Sequence, residues 1–212
     1  MTAMTAPSLT RGLLDGPGPA LGDHLAAHGP LPGVDLHTLV DEAGLLGRGG
    51  AGFPTAAKLR SVAAAASATR KAPIVVANGS EGEPASAKDA TLLVLAPHLV
   101  LDGLALVADS LGAARAYLAV DPAMIPGLAP YLAGEESALC AALDGRPPLS
   151  TTKFPPVRER GVDGRPTLVL NVETLARLAL IARGNDLAAA SMLVTRRSAR
   201  YGARPGLSLI HI

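Results

Sequence analysis

Pro73-Ile74-Val75-Val76-Ala77-Asn78-Gly79 is a short β-branched run fenced by a proline and a glycine. It is too short for a helix and apolar at successive positions, so it reads as a strand buried on both faces. Two further runs have the same character. Ala116-Tyr117-Leu118-Ala119-Val120 ends at Asp121-Pro122, and Thr167-Leu168-Val169-Leu170 ends at Asn171. Helical spacing fills the intervals. Leu36, Leu39, Val40, Ala43 and Leu46 define a helix over 35–46 with Gly47 as its stop. Further helices are expected over 55–66, over 91–111 with a break at Pro97, over 135–143 ending at Asp144-Gly145, and over 172–183 ending at Gly184. Strands alternating with helices predict an α/β fold: a parallel sheet with helices on both faces. No internal repeat is present.

Composition narrows the class. The chain has 212 residues, enough for one domain with a real core. A net charge of +1 points to neither nucleic acid nor an anionic membrane surface. Aromatic residues make up only 2%, with no tryptophan, so the core is built from Ala, Leu and Val. Cys140 is the single cysteine, which excludes an internal disulfide framework and any cysteine cluster for zinc or iron–sulfur within these residues. Residues 1–30 lack a long apolar core behind a basic start, so no signal peptide is expected. The longest apolar stretch, 92–111, is interrupted by Pro97, His98, Asp102 and Asp109, and predicts a buried amphipathic helix with no direct membrane insertion. The expected location is the cytoplasm, including the periphery of a membrane complex.

Four segments concentrate glycine and polar residues at strand ends or helix starts. Gly47-Arg48-Gly49-Gly50-Ala51-Gly52-Phe53-Pro54-Thr55, with Lys58 one turn on, reads as a glycine-rich loop feeding a helix. Backbone N–H groups, the helix dipole and the Lys58 charge together suit a phosphate; the alternative is a tight structural turn with Lys58 in solvent. Asn78-Gly79-Ser80-Glu81-Gly82-Glu83-Pro84 follows the first strand, where open α/β sheets bind ligands. Asn78 can present a donor and an acceptor to a heterocycle, and Glu81 and Glu83 can accept from ring N–H or sugar hydroxyls; a polar turn is the other reading. Gly134-Glu135-Glu136-Ser137, just after Tyr131, places paired carboxylates at a helix start, which equally describes a helix cap. Asn171-Val172-Glu173-Thr174 joins the third strand to the last helix, with Asn171 as a candidate N-cap. Phe53 and Phe154, the only phenylalanines, fall in loops beside these segments, as surfaces for stacking or as packing groups.

Taken together, the four segments resemble the flavin-carrying, NADH-oxidising F subunit of respiratory complex I and the related flavin subunits of soluble hydrogenases and formate dehydrogenases. The family loop GRGGAGFPT with its following lysine is matched by Gly47 to Thr55 and Lys58. The motif NADExEP appears as Asn78 to Pro84, GEETAL as Gly134 to Leu139, and NNVETLA as Leu170 to Ala176. The resemblance implies a Rossmann-like FMN-binding domain over 34–206; the Gly-, Pro-, Ser- and Thr-rich residues 1–33 before it read as a partly disordered extension. It also implies FMN as cofactor, held at its phosphate by Gly47, Gly49, Gly50 and Lys58, with Arg48 also cofactor-binding. Asn78, Glu81, Gly134, Glu135, Asn171 and Thr174 would line the flavin. Phe53, Glu83, Tyr131, Glu136 and Phe154 would face NADH. The implied reaction moves a hydride from NADH to FMN and then single electrons to an iron–sulfur protein or subunit; the alternatives are an FMN-binding electron-transfer subunit with a donor other than NADH, and a non-catalytic assembly subunit. The hydride step needs no general base, so no catalytic proton-transfer residue is assigned and no metal ligand is expected here.

The chain departs from the family pattern in four places. Ser80 replaces an aspartate, Ser61 replaces an aromatic residue three positions after the lysine, and the stretch from Val120 to Gly134 is shorter. The family's SLBB domain and its [4Fe–4S] domain are absent from these residues. The last six residues, Leu207-Ser208-Leu209-Ile210-His211-Ile212, read either as the translation of a sequencing adapter or as a natural short strand. The first reading makes the chain a C-terminally truncated member.

Overall fold

A computed structural model describes residues 12–14, 16, 18–49, 51–80, 86–120, 135–150 and 154–184. The adapter-like residues 207–212 lie outside them. Three strands form the sheet: β1 Ile74–Gly79, β2 Arg115–Val120 and β3 Thr167–Asn171. They are parallel, in the order β2-β1-β3, with Val76 opposite Tyr117 on one side and Val169 on the other. All six residues of β1 are buried, as a strand covered on both faces requires.

The two faces separate by residue parity. Val75 and Ala77 of β1 and Leu168 and Leu170 of β3 join the larger core. Ile74, Val76 and Val169 join a smaller one on the opposite face. Helices α2 Leu36–Glu42, α3 Thr55–Thr69, α4 Lys88–Leu95, α5 Pro97–Leu111 and α7 Val172–Ala182 supply the larger core. Helix α6 Glu136–Leu143, through Leu139 and Cys140, and the short turn at Val162 cover the smaller one. The chain crosses from β1 to β2 through α4 and α5 on one face, then from β2 past β1 to β3 through α6 on the other. Connections therefore leave β1 and enter β3 in opposite senses, so the carboxyl ends of these two strands flank a topological switch point.

Local signals explain most of the element boundaries. Asp35 caps α2 by accepting from the Thr38 amide and hydroxyl. Pro97 occupies the first turn of α5, where its missing N–H costs nothing, and the expected break becomes a 95° bend between α4 and α5. No single described helix is long and apolar enough to cross a membrane. Helix α1, Leu21–His28, lies inside the segment read as a partly disordered extension. It buries only His24, while Leu21 and Leu25 stay exposed. Polar contacts hold it instead. His24 meets Asp102 of α5 at 2.8 Å, and the Arg183 guanidinium bonds both Asp102 and the His28 carbonyl.

Helix α5 packs tightly on α7 at Gly103. A Cβ at Gly103 would lie 2.1 Å from the Leu175 carbonyl oxygen, so only glycine lets the two backbones approach this far. Gly103→Ala is expected to cost about 3 kcal/mol or more by overpacking against backbone, read as a lowered urea midpoint with unchanged slope.

Candidate functional site

The glycine loop is built as a narrow reversal between α2 and α3. Leu46 bridges Pro54, the Gly47 amide donates to the Phe53 carbonyl at 2.9 Å, and the Thr55 amide donates to Leu45 at 2.9 Å. Gly52 sits at φ +60°, the left-handed region that disfavours side chains. The loop then leans on the start of α7. The Arg48 amide donates to the Thr174 hydroxyl at 2.9 Å, and a Cβ at Gly49 would stand 3.6 Å from Cβ of Asn171. No described residue accepts from the amides of Gly49, Ala51 or Gly52, and all three residues are exposed. N–H groups of exposed residues beside a helix N-terminus form a donor set that fits a phosphate.

Under this loop lies a buried polar hub that the sequence motifs do not announce. Asn171 ends β3 opposite Asn78 of β1. Its Nδ2 donates to Asp89 Oδ2 at 2.7 Å and to the Asn78 carbonyl at 3.3 Å. Its Oδ1 accepts from the Glu173 amide, as the N-cap of α7, and from Lys88 Nζ. The Lys88 ammonium also meets Asp89 at 2.6 Å and Glu173 at 3.5 Å. Glu173, buried, is gripped by Nε and Nη2 of Arg177 at 2.9 and 2.6 Å. Arg48 stands 3.9 Å from the same carboxylate. The spacing of Glu173 and Arg177 on one helix face is legible in the sequence; Lys88 and Asp89 are separated from them by more than 80 residues and carry no local signal.

Other expected site residues take defined places. Asn78 Oδ1 accepts from the Ser80 amide at 3.0 Å, closing a turn at the end of β1. Glu135 is the N-cap of α6 and accepts from the amides of Ser137 and Ala138, each at 3.0 Å. Burial pulls its carboxyl upward, but the Ser137 hydroxyl and the two amides outweigh this and hold it below the ordinary range. Lys58, on the first turn of α3, reaches the Val169 carbonyl at 2.7 Å and the Glu136 carboxylate. Phe53 is 54% exposed and Phe154 88%, so neither is a core residue. Gly50, Glu81, Glu83, Tyr131 and Gly134 lie outside the described residues. Cys140 is buried, and burial pushes its thiol up to about 12, which keeps it protonated and unreactive.

Two measurements probe this arrangement. Arg177→Ala leaves Glu173 without its main partner and is expected to cost about 3–5 kcal/mol in equilibrium unfolding. Glu135→Gln removes a depressed carboxyl, whose stabilisation is present above the unfolded value of 4.5 and is lost as pH falls through the lower folded value. The native chain should exceed the variant by about 1 kcal/mol at neutral pH, and the two stability curves should converge below the ordinary carboxylate range.

Comparison with known proteins agrees with this architecture. The Nuo51 FMN-binding domain family matches residues 40–124. The F subunit of NADH-quinone oxidoreductase from Buchnera aphidicola is 32% identical over 184 residues, covering 69% of this chain and 41% of its own. The corresponding protein of Mycobacterium bovis is 30% identical over 192 residues, covering 73% and 43%. The crystal structure of an NAD+-reducing [NiFe]-hydrogenase in its H2-reduced state superposes with a TM-score of 0.64 at 34% identity, over 72% of this chain and 31% of that one. The chain thus spans about two fifths of the length of the curated relatives it matches. With its motifs, its parallel α/β sheet and these relatives in agreement, the chain belongs to the complex I 51-kDa family, which takes in the Nuo51 FMN-binding domain and the F subunits of NADH-quinone oxidoreductases.

Proposed function

We propose that this chain holds FMN at the carboxyl ends of β1 and β3 and is the flavin site of an NADH dehydrogenase that passes electrons to an iron–sulfur partner. The observation that carries the reading is the trio of amides at Gly49, Ala51 and Gly52 that no described residue claims, set against the N-terminus of α7 at a topological switch point. The names of the relatives support NADH as donor and a multisubunit assembly as setting.

Bound FMN supplies the hydride acceptor and the conversion of two-electron to one-electron chemistry. The protein supplies position and field. The loop amides and the dipole of α7 favour a phosphate, and Thr174 fixes the loop by accepting from Arg48. The Asn171 hub holds β1, α4 and α7 in register around the strand ends, so the site has little to reorganise. Phe53 offers an exposed flat surface to a nicotinamide or adenine ring. Hydride transfer takes no proton from the donor, so no residue is assigned as base.

The purified chain, incubated with FMN and freed of excess, should show a flavin absorption band that bleaches when NADH is added without oxygen. A retained band unmoved by NADH would assign the site to another electron donor. A chain that takes up no FMN would overturn the flavin reading itself.

A further inference from the structure

The cation expected at the phosphate, Lys58, is already engaged. Its ammonium donates to the Val169 carbonyl at 2.7 Å and to Oε1 of Glu136. The Ile74 amide bonds Pro166, whereas the Thr167 amide turns away to Val157. Alternation along β3 therefore points the Val169 carbonyl away from β1, toward the edge that no described strand covers. Lys58 caps that edge from α3, which belongs to the larger core. Glu136 reaches the same ammonium from the first turn of α6, which belongs to the opposite face. The pair therefore ties the two helical layers together around the edge of β3. The Lys58 side chain is 21% exposed and that of Glu136 is 42% exposed, so the lysine is the more desolvated partner and the carboxylate the more accessible to solvent.

We propose that Glu136 is an internal anion that competes with a bound phosphate for Lys58, and so sets both the affinity for FMN and the preference for FMN over riboflavin. The inference rests on the FMN reading above. A phosphate monoester carries about −1.5 to −2 charges at neutral pH. Beside an intact Lys58–Glu136 pair it meets a carboxylate of like sign, which disfavours two anions on one ammonium. Displacing the carboxylate removes that repulsion and gives the ammonium to the stronger anion. Glu136 stays favourably placed after release, because it lies in the first turn of α6 beside positive helix dipole. Glu135 cannot substitute for it, since its carboxylate is committed to the cap of α6. Riboflavin has no phosphate, so it neither contests the pair nor gains from its loss.

The test is titration of the full chain with FMN and with riboflavin, followed by flavin fluorescence. Glu136→Gln should bind FMN at least about fivefold more tightly, the scale of one charge-assisted contact, with riboflavin unchanged. In a Lys58→Ala background the same substitution should give a much smaller gain for FMN than in the wild-type background, because the group contested is gone. FMN affinity unchanged or weakened by Glu136→Gln, in a wild-type chain that does bind FMN, overturns the proposal alone. A wild-type chain that binds neither flavin overturns the FMN reading and this inference with it. If Glu136→Gln unfolds, Glu136→Ala carries the test: it also removes the carboxylate, and the same gain in FMN affinity is expected, while no gain overturns the proposal.

Discussion

The side-chain amide of Asn171 is the contact on which the site depends. Both its donors and its acceptor are used: toward Asp89, toward the Asn78 carbonyl, and from the Glu173 amide and Lys88. One residue thereby joins the ends of β1 and β3, starts α7 and anchors the first turn of α4. The hub carries charge of both signs, Lys88 and Arg177 against Asp89 and Glu173, in a region where Asp89, Glu173 and Arg177 are all buried. Buried ions are tolerated only when paired and hydrogen-bonded, so these groups hold each other to one geometry. The energetic gain from such pairs over apolar packing is small. Their effect is to specify how the glycine loop, α4 and α7 meet.

That specification determines the chemistry available at the strand ends. A fixed Asn171 and Thr174 set the position of Arg48 and Gly49, and no described residue accepts from the amides of Gly49, Ala51 and Gly52. The anion-favouring character comes from backbone and helix dipole more than from side-chain charge. Lys58 differs from the rest of the set. It is tied to the sheet edge and to α6, which couples any ligand that reaches it to contact between the two layers.

Much of the architecture was legible from residue order. β1 was readable because a strand buried on both faces must be apolar at consecutive positions, and all six of its residues are buried. Pro97 marked the α4–α5 break because proline lacks the N–H that a continuous helix needs. Asn171 was readable as a cap from residue type and place. Helix α1 was not, because its attachment is polar and tertiary, through His24 to Asp102 and through Arg183. The start of α4 lies three residues before the predicted one, because Lys88 and Asp89 are held by partners on α7 and β3 and not by apolar spacing.

The sequence by itself determined the alternation of strands and helices and the glycine loop, since these rest on local periodicity and on residue chemistry at fixed spacing; the flavin- and NADH-facing candidates came from the resemblance of its motifs to a family. Only the tertiary structure decided which of them meet. It set Asn171 against Asp89 across 82 positions, Arg48 on Thr174 across 126, and Lys58 on Glu136 across 78. Such pairings follow from strand order and from which face each crossover helix covers. Those choices are settled by burial of the whole sheet, so no local stretch of sequence encodes them.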